Sequence, residues 1–208
     1  METPIISHIS SEDFLDIYEP AEDSFILLDA LEKDLEFLHL LNPSLCCEIG
    51  SGSGINITSL ANTIKASSFF CTDINPKACN ISKKTAEING TNIECFNMDL
   101  LSSFRKNIFD VIIFNPPYVV TEDDEISESN ISRSWAGGEK GRIIIDKMLH
   151  DLPSMLTSKG VCYLVVIAEN KPSEIIKNMS LVGYDTQIVL ERRIRGEFLS
   201  VLKFYKVI

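Results

Sequence analysis

The sequence predicts a doubly wound α/β protein with a seven-stranded, mostly parallel sheet that ends in a C-terminal antiparallel hairpin. Short, continuously apolar segments alternate with segments of helical periodicity, which is typical of parallel strands buried beneath helices. Near the C-terminus two strand-like segments follow one another without a helix between them, which predicts the hairpin. The length of 208 residues suits one domain with a single core.

The first half of the chain contains three predicted strands and three predicted helices. Each helix is identified by apolar residues at spacings of three and four, and Pro76 occupies a first helical position, where its missing N–H is not needed. In chain order the elements are a helix at 22–38, a strand at 45–49, a helix from about 55 to 64, a strand at 69–74, a helix that starts at Pro76, and a strand from Ile93 to Phe96.

The second half contains two more parallel strands and the hairpin. We predict a strand at 111–114, a helix from about 139 to 156, a turn at Gly160 and a strand at 161–167. A helix that starts at Pro172 follows, and then hairpin strands at 184–190 and 198–207 joined by a charged loop. The sequence shows no internal repeat or linker. It therefore predicts a single domain, 1–208, whose residues 1–21 form an N-terminal extension near the active site.

Composition narrows the class of partner and the compartment. The formal net charge is −11, whereas a protein that grips a phosphate backbone usually carries a basic face, so we do not expect direct binding to nucleic acid. The N-terminus lacks the basic start and apolar core of a signal peptide, and no apolar run is long enough to span a bilayer. We therefore expect a cytoplasmic protein without a membrane partner, and the sequence leaves a nuclear pool open.

Cysteine and histidine usage indicates neither a metal site nor a disulfide framework. The six cysteines form no CxxC pair, and most lie in apolar runs, where a free thiol behaves as a small buried hydrophobe. The three histidines are scattered along the chain. We therefore predict no metal ligands in this chain.

A glycine-rich turn between the first strand and its helix is the first candidate binding feature. The segment 47–54 reads CEIGSGSG, and glycines allow a tight turn and a close approach to a ligand. The spacing differs from the dinucleotide pattern GxGxxG because Ile55 stands at its last position, and a simple tight turn is the alternative. Glu48 precedes the glycines, where its carboxylate can lie near a cationic ligand. The predicted loop glycines are Gly50, Gly52 and Gly54.

Two further acids follow the next two strands. Asp73 ends the second strand, where a carboxylate can accept both hydroxyl groups of a ribose, and we assign the adjacent Ile74 to the same ligand. An Asx turn or a helix cap before Pro76 is the alternative for Asp73. Asp99 follows the third strand and can accept the amino group of adenine while Leu100 covers the ring; a simple turn is the alternative.

The sequence Asn-Pro-Pro-Tyr at 115–118 directly follows the fourth strand. Pro116 and Pro117 fix the backbone and remove two N–H donors, so this loop is stiff and presents oxygen acceptors. Asn115 adds a side-chain oxygen, and two rigid acceptors can grip the two hydrogens of an –NH2 group. Tyr118 offers a ring to pack over a planar substrate. A bare strand terminator is the alternative.

These four signals lie at the carboxyl ends of successive strands and together carry a resemblance. They resemble the glycine-rich loop, ribose acid, adenine acid and amine-binding loop of the Rossmann-like class I amino-methyltransferases. The resemblance implies S-adenosylmethionine as the cofactor and S-adenosylhomocysteine as its product. It also implies that Asn115 lies beside the cofactor as well as beside the substrate.

Two flanking segments make the resemblance more specific. Residues 18–25 (YEPAEDSF) and 134–138 (SWAGG), with Gly141 and Arg142, resemble the HemK-like glutamine methyltransferases of eukaryotes and archaea, whose substrate is the translation release factor. The resemblance runs from about Asp16 to Lys203. It implies that Ser24, where the family generally has threonine, lies at the carboxylate end of the cofactor.

The nucleophile implied by the resemblance is the amide nitrogen of a glutamine side chain. Acceptance of its two N–H bonds by the Asn115 side-chain oxygen and the Pro116 carbonyl aims the nitrogen at the methyl group. Adenine amino groups of DNA or RNA, a protein lysine, and a non-catalytic cofactor-binding scaffold remain alternatives. An acidic run after the proline loop would repel phosphates, although it is equally typical of a solvated surface loop; its members are Glu122, Asp123, Asp124, Glu125 and Glu128.

The strand from Ile93 to Phe96 is the predicted partner site. It lies at a sheet edge in the usual strand order, and edge strands invite another chain to add a strand. The mean hydropathy of +0.10 is high for a small acidic enzyme and indicates apolar surface left uncovered. Packing of these residues under their own helices is the alternative. The resemblance implies a heterodimer with a small zinc-binding activator, with zinc held by that partner. It further implies a release factor, bound to its GTPase, as substrate, and a chain that is poorly soluble and weakly active alone.

Overall fold

The computed structural model of the protein describes residues 1–65, 67–121, 135, 137–194 and 196–206. Within these residues one sheet of seven strands forms the centre of the fold. The strands are β1 (Leu45–Ile49), β2 (Ser68–Asp73), β3 (Glu94–Asn97), β4 (Phe109–Phe114), β5 (Leu156–Ile167), β6 (Asp185–Ile194) and β7 (Glu197–Tyr205).

The strand order is β3-β2-β1-β4-β5-β7-β6. The first five strands pair in parallel, and β7 pairs antiparallel with both β5 and β6. This confirms the predicted mostly parallel sheet with its C-terminal hairpin and puts β3 at one edge. The order reverses between β1 and β4, and ligands of doubly wound sheets bind in the crevice at such a reversal, beyond the carboxyl ends of the strands.

Six α-helices of the described chain cover the sheet. They are α1 (Glu22–Lys33), α2 (Leu35–Leu41), α3 (Ile55–Thr63), α4 (Pro76–Ile88), α5 (Ile143–Met155) and α6 (Pro172–Leu181). Pro76 and Pro172 stand in the first turns of α4 and α6, as predicted. None of the described helices is both long enough and apolar enough to cross a membrane.

The predicted single helix at 22–38 is two helices that meet at Asp34. Apolar periodicity continues across the junction, but the Asp34 backbone leaves the helical conformation. The Asp34 side chain accepts hydrogen bonds from the Lys203 ammonium at 2.7 Å and from the Tyr163 hydroxyl. These partners lie far away in sequence, so periodicity alone could not locate the break.

Several other boundaries differ from prediction, and two of the differences concern β5 and the hairpin. Strand β5 begins at Leu156 and passes through Gly160. A Cβ at Gly160 would lie 2.7 Å from the Phe109 carbonyl oxygen of β4. Close approach of two strands, rather than a turn, therefore explains this glycine. The predicted charged loop of the hairpin is wrong as well, since β6 continues to Ile194 and pairs Arg192 with Leu199.

The N-terminal extension packs against α4 and reaches the carboxyl edge of the sheet. Ile9 and Ile17 are buried against Ala78 in a small apolar cluster. Asn75, the residue that precedes α4, donates from its side chain to the Asp16 carbonyl at 2.8 Å. These contacts hold residues 16–18 beside the cavity described next.

Candidate active site

A cavity of about 400 Å³ lies beyond the carboxyl ends of β1, β2 and β4. Its volume falls in the range of sites for small molecules and cofactors. Ten residues predicted from the sequence line it: Ser24, Glu48, Gly50, Gly52, Asp73, Ile74, Asp99, Leu100, Asn115 and Pro117. Gly54, Pro116 and Tyr118 are the predicted residues that lie outside this lining.

The glycine-rich turn requires left-handed backbone at three positions. Gly50, Gly52 and Gly54 have φ values of 67°, 50° and 78°. A Cβ at Gly54 would lie 2.7 Å from the Cα of Ser82 in α4, so this glycine serves helix packing, which accounts for its place outside the lining. A Cβ at Gly52, which lines the cavity, would meet nothing within 4 Å, so the space beside this part of the turn is open.

Asp73 is tied to the glycine-rich turn. Its Oδ2 accepts from the Gly52 amide at 3.0 Å, and its Oδ1 accepts from the Asn75 amide at 2.8 Å. The side chain that caps α4 is Asn75, which accepts from the Lys77 amide at 2.9 Å. Burial raises the pKa of the Asp73 carboxyl group. The Asx turn weighed as an alternative is therefore present, in a residue that also lines the cavity.

Ile74 and Leu100 give the cavity apolar walls. Ile74 is 52% exposed, a high value for a large apolar residue in the middle of a site. Leu100 has a φ of 49°, and left-handed backbone is costly for a leucine. Such an outlier at a cavity wall is typical of a functional position.

Asp99 is engaged by a residue that the sequence analysis missed. The Lys147 ammonium of α5 forms an ion pair with the Asp99 carboxylate, and both side chains line the cavity. Lys147 lies on α5 among apolar residues at helical spacing, where a lysine is typical of a solvated face. No motif in the sequence distinguishes it.

Glu48 is a buried residue of β1 whose carboxyl group contacts the first turn of α3. It accepts from the Asn56 side chain at 3.1 Å and from the Ile57 amide at 3.1 Å. Burial raises the pKa of the Glu48 carboxyl group to about 8. Glu48 therefore accepts a hydrogen bond from a backbone amide in the first turn of α3. It also lines the cavity, where it can contact a cation.

Glu48 makes stability fall as pH rises. Between its ordinary pKa of 4.5 and about 8, the folded chain holds a proton that the unfolded chain has released, so the free energy of unfolding decreases through this window. We expect Glu48→Gln to flatten the pH dependence of Tm measured from about pH 5 to about pH 9. Glu94→Gln, an exposed control, should keep the wild-type slope, and an unchanged slope in Glu48→Gln would contradict this account.

The side chain of Asn115, which follows β4, has an unused acceptor. Its Nδ2 donates to Oδ2 of Asp23 at 3.1 Å. Its Oδ1 is buried and has no hydrogen-bond partner among the described residues. A buried acceptor without a partner is costly, and a ligand that donates N–H bonds would remove that cost.

The Tyr118 ring does not lie at the cavity, where it was predicted to pack over a substrate. Its ring is 7% exposed and belongs to the main core, while its hydroxyl donates to Oδ2 of Asp23 at 3.1 Å. The ring is therefore too buried to pack over a substrate. Pro116 is buried too, and Pro117 is the proline of this loop that reaches the cavity.

Asp23 and Tyr18 are further site residues that the sequence analysis missed. Asp23 is 4% exposed, and its Oδ1 accepts from the Ser24 amide at 2.7 Å and from the Ser24 hydroxyl at 3.3 Å. Burial, and then the Asp23 carboxylate, raise the pKa of the Tyr18 hydroxyl above its ordinary value. Both residues lie in the quoted segment 18–25. Acids are common in the first turn of any helix, so Asp23 carried no distinct signal.

The downstream motif holds the end of the proline loop. Nδ2 of Asn170 donates to the Tyr118 carbonyl at 2.9 Å, and a Cβ at Gly141 would lie 1.9 Å from the same oxygen. Arg142 forms ion pairs with Asp146 and Glu174. The acidic run at 122–128 and residues 134 and 136 lie outside the described residues.

The fold and the site define a class. A doubly wound sheet with a glycine-rich turn after β1, an acid after β2 and the Asn-Pro-Pro-Tyr loop after β4 is the architecture of a class I methyltransferase. The chain belongs to the methyltransferase small domain family, whose profile matches residues 22–134.

Comparison with individual proteins gives the same class. Methyltransferase HEMK2 of Homo sapiens is 41% identical over 208 residues, which cover 98% of this chain and 96% of that protein. The eRF1 methyltransferase catalytic subunit mtq2 of Schizosaccharomyces pombe is 37% identical and covers 100% of this chain and 96% of its own length. A solved complex of E. cuniculi Mtq2 with Trm112, responsible for methylation of the eRF1 translation termination factor, matches with a TM-score of 0.71 at 30% identity, covering 92% of this chain and 99% of that chain.

Proposed function

We propose that this protein transfers the methyl group of S-adenosylmethionine to the side-chain amide nitrogen of a glutamine in the translation termination factor. The observation that carries the proposal is the buried Oδ1 of Asn115, a cavity-lining residue, because this atom has no hydrogen-bond partner among the described residues. An amide –NH2 group supplies donors of the kind that this acceptor requires. The name of the 37% identical relative, an eRF1 methyltransferase catalytic subunit, supports the substrate class.

The residues around the cavity fit the cofactor. Open space above Gly52 leaves room for a ligand against the turn, and the Asp73 carboxylate beside it suits ribose hydroxyl groups. Ile74 and Leu100 offer apolar surface to a purine, while Asp99 offers an acceptor to its amino group. Ser24 and Glu48 also line the cavity, and we assign them to the charged end of the cofactor.

The bound cofactor supplies an electrophilic methyl group, and the protein supplies orientation. The Asn115 side-chain oxygen accepts an N–H bond of the substrate amide and so orients its nitrogen toward the methyl group. Positive charge that develops on this nitrogen strengthens this hydrogen bond in the transition state, and this difference accelerates transfer. The proton leaves to solvent after transfer. No side-chain base is required.

Asp73→Ala is expected to weaken S-adenosylmethionine binding by about 1–3 kcal/mol, because charge-assisted hydrogen bonds to the ribose are lost. Loss of the acceptor for the Gly52 amide contributes in the same direction. Calorimetric titration measures the change, with circular dichroism to check the fold. Asp185→Ala removes an exposed carboxylate at the far edge of the sheet and is the matched control. Wild-type affinity in Asp73→Ala would contradict the assignment.

We also propose a small zinc-binding activator as partner, docked along β3. Three of the four β3 residues are exposed, and Phe96 is 37% exposed at this edge. The complex of the 30% identical Mtq2 with Trm112 supports a partner of this kind. Zinc would belong to that partner. We expect the chain alone to be poorly soluble and weakly active, and the termination factor to be recognised together with its GTPase.

A lysine amine is the second candidate nucleophile. Burial, and then the nearby carboxylates of Asp23 and Glu169, raise the pKa of the Glu197 carboxyl group. After burial, the charges of Asp23 and Glu197 also raise the pKa of the Tyr18 and Tyr118 hydroxyls. Carboxylates near the site suit a cationic substrate.

A comparison of substrates separates the candidate functions. The chain with its partner is incubated with methyl-labelled cofactor and, in parallel, with termination factor, a lysine-rich peptide and an adenine oligonucleotide. We expect label in the termination factor. Transfer to the oligonucleotide alone, or to no substrate, would contradict the proposed function.

A further inference from the structure

The carboxylate of Asp23 joins the first turn of α1 to the proline loop. One oxygen, Oδ2, accepts from Nδ2 of Asn115 and from the Tyr118 hydroxyl, each at 3.1 Å. The other, Oδ1, accepts from the backbone amide of Ser24 at 2.7 Å. With Asp23 only 4% exposed, water competes little for these oxygens.

An asparagine amide has two orientations that differ little in shape but are opposite in hydrogen bonding. When its oxygen points toward the substrate, Asn115 accepts a hydrogen bond from an –NH2 group. When its nitrogen points toward the substrate, the Asn115 –NH2 group would face the –NH2 group of the substrate, and neither could accept. Nothing in residues 115–118 themselves selects between the two. An ionised carboxylate only accepts, so it holds the Asn115 nitrogen and leaves Oδ1 as an acceptor to which no group in the described part of the chain donates.

We propose that Asp23 is a positioning residue that fixes the orientation of the Asn115 amide and thereby makes Asn115 an acceptor for the substrate –NH2 group. The inference rests on the proposed function and adds the element that sets the hydrogen-bonding polarity of the site. Asp23 acts through Asn115, whereas Asn115 meets the substrate.

The isosteric change Asp23→Asn should invert that polarity. The Ser24 amide is a fixed backbone donor, so the oxygen of the introduced side chain stays on that side. Its –NH2 group then faces Asn115 and Tyr118. The Tyr118 hydroxyl can accept as well as donate, but Asn115 must rotate its oxygen toward the new donor. Its nitrogen then faces the substrate.

A second substitution should restore the acceptor. In the double variant Asp23→Asn with Asn115→Asp, the introduced amide donates to one oxygen of the new carboxylate. The second oxygen of that carboxylate then takes the place that Oδ1 of Asn115 has in the wild type. A role of Asp23 in folding alone gives no reason for a second change at residue 115 to recover activity.

Kinetics of the full chain with its partner test the proposal, with termination factor and its GTPase as substrate. We expect Asp23→Asn to lower kcat roughly 10²-fold with little change in KM, and Asn115→Asp added to it to recover about tenfold. In the Asn115→Ala background, Asp23→Asn should lower kcat no further. Turnover of Asp23→Asn within a few-fold of wild type, additive losses, or no recovery in the double variant would each overturn the proposal.

A readout that is independent of turnover separates this inference from the proposed function. In the full chain labelled with ¹⁵N-asparagine, the side-chain NH2 of Asn115 should show one proton protected from solvent exchange in the wild type and lose that protection in Asp23→Asn. If both side-chain NH2 protons of Asn115 exchange freely in the wild type, the inference is overturned. This outcome does not depend on whether Asp23→Asn folds. A protected proton without any glutamine methylation would instead refute the proposed function alone.

Discussion

Asn115→Ala should lower methyl transfer to the termination factor by roughly 10²–10³-fold, the range observed when one oriented hydrogen-bonding group of a transition state is removed. The oxygen lost is the buried Oδ1, whose bond to the substrate strengthens as charge develops on the nitrogen. The affinity for S-adenosylmethionine should change little, because the glycine-rich turn and Asp73 remain.

Single-turnover kinetics with saturating cofactor measure this effect, and calorimetry measures the affinity. Asn178→Ala, on the exposed surface of α6, is the matched control and should behave as wild type. Asn115→Asp is a useful companion because it keeps an acceptor at the same position while adding charge. Transfer by Asn115→Ala within a few-fold of wild type would show that this oxygen does not grip the substrate.

Cys95→Pro should abolish binding of the small partner while leaving the β3–β2 pairing intact. The Met98 amide donates to the Asp73 carbonyl of β2 at 3.0 Å. Since N–H groups alternate in direction along a strand, those of Glu94 and Phe96 also face β2, and those of Cys95 and Asn97 face outward. A proline at position 95 therefore removes a donor only from the open edge.

Cys95→Ala is the matched control for this change, because it removes the thiol and retains the amide. Co-purification with the partner should survive in Cys95→Ala and fail in Cys95→Pro, while cofactor binding survives in both. If both variants bind the partner equally well, the partner does not pair along β3.

The sequence predicted well those features that depend on neighbouring residues. Apolar runs mark β1, β2, β4 and β5, so the positions of these strands, and with them the carboxyl-end location of Asp73 and Asn115, followed from local pattern. The glycine-rich turn was also local, since its glycines adopt positive φ. These features sufficed to place ten predicted residues around one cavity.

Features that depend on distant partners could not be predicted in the same way. Asp34 interrupts a helix where its side chain accepts hydrogen bonds from Tyr163 of β5 and Lys203 of β7. Asp23 was hidden as one of two acids in a helical first turn, although it contacts Asn115 across 92 positions of sequence. Tyr118 was assigned to the substrate from its place in the motif. Its ring instead packs in the core, and its hydroxyl donates to Asp23.

We propose that the –NH2 group accepted by Asn115 is a glutamine amide. To test this, the chain and its partner are incubated with S-adenosylmethionine and the termination factor–GTPase complex, and the factor is then fragmented by mass spectrometry. We expect one added methyl group on the side-chain nitrogen of a single glutamine, absent when Asn115→Ala replaces the wild type. A methyl group on a lysine, or one that persists at full yield in Asn115→Ala, would refute the proposed function.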